Sequence, residues 1–345
     1  MAVITEYIEM ILQRKDLTFE QAKAVLDTVF DGGVTEVQIA AFLTAMRTKG
    51  ETAAELAGLA KSLRDHAICV EVDGNDLIDT CGTGGAAVKT FNISTAAALV
   101  AAGAGARVAK HGNRAITSKC GSADVLAELG VKIDAGAEVV EKCIEEANIG
   151  FMFAPMFHPA MKFVQPVRKA LEFRTVFNIL GPLANPAAVT AQLMGVASEE
   201  LVETICETLK ILGAKRAMVV HSRGMDEIGT FGSTLIRRLV DGEITSIELA
   251  PAEYGFDAPD VNELKSGDAA GNARIIREIL TGRQTGPRKD VVVLNAAAAI
   301  IVAGLADDFE SAVELADASV ISGRGLAALE KLIEVSNKSG ESQKQ

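Results

Sequence analysis

The residues from Asp79 to Thr95 combine the types that hold phosphate. An apolar run, Leu77-Ile78, ends in Gly82-Thr83-Gly84-Gly85, and Asn92-Ile93-Ser94-Thr95 then opens an alanine-rich helix. Glycines let a backbone approach an anion without Cβ clashes, and the first N–H groups of a helix are unpaired at the positive end of its dipole. The spacing fits neither G-x-x-x-x-G-K-[ST] nor G-x-G-x-x-G, so no nucleotide-binding label follows. A plainer reading is that the glycines turn the chain and Ser94 caps a helix.

A second polar segment, Lys110 to Asp124, follows the apolar run Arg107-Val108-Ala109. Lys110, Arg114 and Lys119, with the hydroxyls of Ser118 and Ser122, suit phosphate; they equally suit a solvated loop with Ser122 as a helix cap. Two such loops at strand carboxyl ends reinforce one another, because open α/β sheets bind ligands at that edge. The adjacent carboxylates Asp226 and Glu227 follow a third apolar run, Ala217-Met218-Val219-Val220. Alone they read as solvated charge; beside phosphate loops they suit Mg²⁺, which takes a few carboxylate oxygens plus water and substrate phosphate. Arg168 has the planar fork that grips a carboxylate in two places, or is an exposed helical charge. His111 and His158 read equally as structural groups, no Ser-His-Asp arrangement is legible, and no nucleophile or obligatory base is assigned.

Two kinds of element must position these groups. Thr18-x-x-Gln21, Thr35-x-x-Gln38 and Thr52-x-x-Glu55 are successive capping boxes, each opening an amphipathic run, so the first seventy residues predict a helical bundle. From Leu77 short apolar runs alternate with helical patterns, which predicts a mainly parallel sheet. Its strands are expected at Leu77-Ile78, Arg107–Ala109, Val131–Ile133, Phe151–Phe153, Gln192–Val196 and Ala217–Val220. Asp241-Gly242 between two further runs signals a type I′ hairpin and antiparallel strands. Pro159 and Pro166 predict a broken helical stretch over His158–Phe173, and helix is expected again after Asp290 to about Val335.

Composition narrows the classes. With 345 residues and 49% hydrophobic content, the chain can bury a large core in two unequal domains. A net charge of −12 opposes general attraction to nucleic acid or an anionic membrane. Five scattered cysteines without C-x-x-C indicate neither zinc nor a disulfide framework, and a reducing cytoplasm is expected. The amphipathic N-terminus does not read as a signal peptide, and Val291–Ala306, interrupted by Asn295, reads as a buried helix rather than a membrane span.

In order, Gly82-Thr83-Gly84-Gly85, Phe91-Asn92-Ile93-Ser94-Thr95, Lys110-His111-Gly112-Asn113-Arg114, Arg174–Pro186, Gly224-Met225-Asp226-Glu227 and Leu294-Asn295-Ala296-Ala297 resemble anthranilate phosphoribosyltransferase of tryptophan biosynthesis. The resemblance covers nearly the whole chain. It implies a homodimeric, Mg²⁺-dependent enzyme that moves phosphoribosyl from phosphoribosyl pyrophosphate to the anthranilate amine. The implied fold is α/β, nucleoside phosphorylase-like: a small helical domain plus a larger α/β domain with a central, mainly parallel mixed sheet. The small domain would comprise residues 1–70, joined in space by about 158–185; the α/β domain would comprise 71–157 and 186–337, with 338–345 as a polar tail. Carried over by position, Gly82, Gly85, Ala86, Thr90, Asn92, Ile93, Ser94, Thr95, Lys110, Ser118 and Ser122 are implied for phosphoribosyl pyrophosphate. Gly82, His111, Asn113, His158, Arg168 and Pro182 are implied for anthranilate, and Ser94, Asp226 and Glu227 for the metal. One departure stands out: Ala86 occupies a position where the family usually has aspartate, with Lys89 three residues on as a compensating charge. The rival readings are a pyrimidine nucleoside phosphorylase-like enzyme and a noncatalytic nucleic-acid-binding relative. Asp226-Glu227 and Lys110–Asn113 oppose the first, and the acidic charge opposes the second.

Overall fold

The computed structural model describes residues 3–74, 76–115, 119–265 and 267–338. Its first elements are α1 (Val3–Leu12), α2 (Phe19–Phe30), α3 (Glu36–Lys49) and α4 (Ala53–Asp65). All three capping boxes form: Thr18, Thr35 and Thr52 accept from the N–H of Gln21, Gln38 and Glu55, whose side chains accept from the threonine N–H in return.

The sheet has seven strands in the order β3-β2-β1-β4-β5-β6-β7. They are β1 (Leu77–Asp79), β2 (Arg107–Gly112), β3 (Ile149–Phe153), β4 (Ala191–Gly195), β5 (Arg216–His221), β6 (Thr234–Val240) and β7 (Glu243–Leu249). The first five are parallel and the last two add antiparallel pairs. Asp241 and Gly242 both take positive φ, 47° and 88°, as a type I′ turn requires. After β1 the chain builds outward through β2 and β3, then returns to lay β4 against the other edge of β1. That reversal leaves a crevice at the carboxyl ends of β1 and β4, where doubly wound sheets take their ligands.

Between and after the strands lie α5 (Ile93–Gly103), α6 (Ser122–Glu128), α7 (Ala137–Ala147), α8 (Ala154–Phe157), α9 (Gln165–Leu171), α10 (Phe177–Leu183) and α11 (Glu200–Ile211). The chain closes with α12 (Ala269–Leu280), α13 (Pro287–Ala303), α14 (Phe309–Ile321) and α15 (Arg324–Lys338). Successive β5 residues feed opposite cores: Met218 and Val220 meet α5 and α13, while Ala217 and Val219 join the core of α1–α4 and α11. The stretch after His158 is broken as its prolines require, with a 3₁₀ turn at Pro159–Phe163 and a new helix holding Pro166 in its first turn. Val164, Val167, Leu180 and Leu183 share the core of α1–α4.

Three expectations are corrected. Val131–Ile133 is not a strand: Val131 N–H donates to Leu126 O at 3.0 Å and Lys132 N–H to Ser336 Oγ at 3.2 Å, so these backbone groups close a helix end and meet α15. Helix returns at Ala269, well before Asp290, capped by Asp268, which accepts from Gly271 N–H at 2.9 Å. Lys338 ends α15 rather than beginning a tail; the expected tail beyond it lies outside the described residues.

Candidate active site

The glycine loop issues from β1. Gly84 and Gly85 are consecutive left-handed residues, with φ of 65° and 79°, a conformation a Cβ opposes. At Gly85 a Cβ would also stand 1.8 Å from Arg174 Nη1, which donates to Gly85 O at 3.3 Å. Gly195, the last residue of β4, serves a different need. A Cβ there would lie 1.5 Å from the Asp226 carbonyl oxygen, so the missing side chain lets the carboxylate loop rest on the strand end. Thr83 N–H donates to Gly195 O at 2.9 Å, and the glycine loop therefore shares that floor.

Asp226 and Glu227 open onto the cavity and are otherwise enclosed by protein. Burial raises the Asp226 pKa, opposed by Gly84 N–H, Lys89 and Arg174. Burial and then the Asp226 charge push Glu227 well above the usual carboxylate range, and Glu227 Oε2 has no hydrogen-bond partner. Lys110, on β2, is buried; its Nζ donates to Thr80 Oγ1 at 3.1 Å. Burial lowers its pKa, with Cys81, Asp79 and Glu227 opposing the shift. Buried Asp79 is itself pushed up to about 6, desolvation outweighing Lys110 and its hydrogen bonds. It accepts from Asn185 Nδ2 at 2.8 Å and His111 N–H at 3.3 Å, tying the ends of β1 and β2 to the segment after α10.

The opposite wall carries rings. His111 and His158 meet edge to face with centroids 5.1 Å apart. Burial pushes them down to about 3 and about 4, so both are neutral at physiological pH. His111 Nδ1 lies 3.0 Å from Gly181 O. A carbonyl only accepts, so Nδ1 bears the hydrogen and Nε2, buried without a partner, presents a lone pair. Arg168, on α9, lies over the Phe177 ring at 5.5 Å and bonds Gln165 Oε1 at 3.5 Å. Burial lowers its pKa, and among the described residues no carboxylate is ion-paired with it.

Both walls close one cavity of about 650 Å³. It brings together Gly82, Gly85, Ala86, Thr90, Asn92, Ser94, Lys110 and Ser122 with His111, Asn113, His158, Arg168, Pro182, Asp226 and Glu227. Ile93 and Thr95 do not line it; both are fully buried in the first turn of α5. Ser118 lies outside the described residues. Ser122 is not the cap of α6: Gly121 takes that position, and Asp124 accepts from its N–H at 2.9 Å. Lys89 Nζ folds back onto Ala86 O at 2.6 Å. Gly195 and Asn295 were not singled out from the sequence as parts of the site, although a glycine ending an apolar strand and one polar residue in an alanine-rich helix are visible signals.

The metal-ligating set is small: among the described residues no group of three or more His, Cys, Asp or Glu side chains could hold a metal ion. Two carboxylates and the Ser94 hydroxyl are nonetheless hard oxygen donors, and the unpartnered Glu227 Oε2 is one such donor left free. This set fits Mg²⁺ when substrate phosphate and water complete its shell.

Residues 5–67 match the glycosyl transferase family, helical bundle domain, and 74–326 match the glycosyl transferase family, a/b domain. An anthranilate phosphoribosyltransferase from Chloroflexus aggregans is 50% identical over 96% of this chain and 98% of its own length. The chain belongs to the anthranilate phosphoribosyltransferase family. A second family member, from Desulfatibacillum aliphaticivorans, is 46% identical over 98% of this chain and 100% of its own. Among solved structures, anthranilate phosphoribosyltransferase from Thermus thermophilus superposes with a TM-score of 0.90, at 40% identity, covering 95% of this chain and 98% of that one. The Saccharomyces cerevisiae enzyme in complex with PRPP and Mg superposes with a TM-score of 0.88, at 27% identity, covering 97% of this chain and 98% of that one.

Proposed function

We propose that this chain transfers the 5-phosphoribosyl group of phosphoribosyl pyrophosphate to the amine of anthranilate, releasing pyrophosphate, with the two substrates on opposite walls of one cavity. The observation that carries this reading is the pairing, across about 650 Å³, of a glycine loop and buried ammonium with an unpaired arginine and two neutral imidazoles. The glycine-loop N–H groups, the Ser94 hydroxyl and Lys110 hold phosphate oxygens. Arg168 grips the acceptor carboxylate, and Pro182 with His158 walls the aromatic ring.

Breaking the bond from C1′ to pyrophosphate develops positive charge on the ribose and negative charge on the leaving group. Lys110, buried where a charge acts most strongly, and the loop N–H groups meet the negative charge. Asp226, Glu227 and Ser94 would hold Mg²⁺, which when bound neutralises part of the pyrophosphate charge. The arylamine is neutral at physiological pH, so it needs alignment rather than deprotonation. His111 Nε2 supplies an acceptor for an amine N–H. With its pKa pushed down to about 3 by burial, it orients the amine and does not act as a strong base.

Residues 1–70 with 158–185 are proposed as the small domain, carrying Arg168 to face the phosphate loops of the larger one. Assembly as a homodimer and residence in the cytoplasm complete the reading; among the described residues no helix is long and apolar enough to cross a membrane. The test is loss of anthranilate fluorescence on adding phosphoribosyl pyrophosphate and Mg²⁺, with stoichiometric pyrophosphate release. No turnover, or phosphorolysis of a nucleoside instead, overturns the assignment.

A further inference from the structure

Helix α13 is buried along Val291–Val302, and Asn295 is the one polar side chain in that stretch. A carboxamide in such surroundings is costly unless every strong hydrogen-bonding group is used. Asn295 uses them in a two-point bridge to a single residue. Its Oδ1 accepts from Ile228 N–H at 3.0 Å and its Nδ2 donates to Ile228 O at 2.8 Å, with a further bond to Val291 O at 2.8 Å. Ile228 directly follows Asp226 and Glu227. On the other side of the pair, the Asp226 backbone sits on Gly195, where a Cβ would approach its carbonyl oxygen to 1.5 Å. The carboxylate loop is thus pinned at both ends, by the strand floor and by the α13 carboxamide.

The pin has something to oppose. When both ionise to hold a cation, two adjacent carboxylates repel one another and gain by swinging apart towards water. We infer that Asn295 is a positioning residue for the Asp226–Glu227 pair, holding both carboxylates towards one divalent cation. This deepens the proposed function and rests on it. Groups that orient metal ligands without touching the metal are worth roughly 10- to 100-fold in metal affinity.

The test titrates phosphoribosyl pyrophosphate calorimetrically, without anthranilate, at stepped Mg²⁺ concentrations, for the unmodified protein, Asn295→Asp and Asn295→Leu. Asp keeps the acceptor and loses the Nδ2 donor; Leu removes the bridge at similar volume. Both variants are expected to need roughly 10- to 100-fold more Mg²⁺ for the same affinity. Each is measured at a temperature where circular dichroism shows it folded. An unchanged Mg²⁺ requirement in a folded variant, or failure of both variants to fold at any temperature, overturns the role and leaves Asn295 a packing residue. Absence of Mg²⁺-dependent binding by the unmodified protein contradicts the proposed function instead.

Discussion

On the phosphate wall, charged groups are buried and crowded against each other, whereas on the acceptor wall burial has left the ionisable rings uncharged. Lys110 feels the charges of both Asp79 and Glu227 inside protein, and desolvation moves each of the three towards its neutral form. A polyanion and its cation can exploit that crowding, because each arriving charge relieves an existing one. His111 and His158 have no such neighbours of opposite sign and sit at about 3 and about 4. On the proposed reading a flat, neutral amine would meet lone pairs there, and Arg168 would supply the cation its carboxylate requires. The same physical cause, burial, therefore yields a charge-relief site on one side and an alignment site on the other.

The contrast can be broken most severely at Lys110. Lys110→Met is expected to lower kcat/KM for phosphoribosyl pyrophosphate roughly 100- to 1000-fold, as loss of a preorganised charge donor does; initial rates against that substrate check it. Gly85→Ala comes next. It forces a side chain into a left-handed φ, costing about 1–2 kcal/mol, and displaces Arg174, which urea unfolding and the KM for phosphoribosyl pyrophosphate report together.

Stability against pH separates the walls by sign. The histidines have folded pKa values below the ordinary 6.5, so the unfolded chain binds more protons and stability falls as pH drops from about 6.5 towards 4. Asp79, raised to about 6, works the other way, since the folded state binds its proton first. Replacing both histidines by glutamine should flatten or reverse the acid decline in urea midpoints between those pH values. An unaltered decline would contradict the neutral-ring account. Lys89→Ala carries the smallest effect. The residue is exposed overall and its ammonium is engaged with Ala86 O, and a change of roughly two- to fivefold in the KM for phosphoribosyl pyrophosphate is expected.

The legible features were those fixed locally. Capping boxes, the Asp241-Gly242 turn and the proline break after His158 each depend on a few adjacent residues, and all formed. So did the placement of glycine loop, Lys110 and carboxylates at strand carboxyl ends, because alternation of strands and helices dictates it. Val131–Ile133 was illegible because Val131 packs into the core as a strand residue would, while its N–H closes the end of α6 and that of Lys132 goes to Ser336, far along the chain. Ile93 and Thr95 lie within the phosphate motif, yet a helix turns only one face to a ligand, and Ser94 has it. Gly195 and Asn295 are visible as oddities of an apolar strand end and an alanine-rich helix, but their partners, Asp226 and Ile228, lie far along the chain and no local pattern names them.

The most direct test of the two-wall account is a two-substrate initial-rate matrix for Arg168→Met beside Lys110→Met. For Arg168→Met the KM for anthranilate should rise roughly 10- to 100-fold, the worth of a charge-assisted hydrogen-bonded pair, while the KM for phosphoribosyl pyrophosphate stays unchanged; Lys110→Met should show the converse. If Arg168→Met instead raises the KM for phosphoribosyl pyrophosphate and leaves that for anthranilate unaltered, the assignment of the walls is wrong.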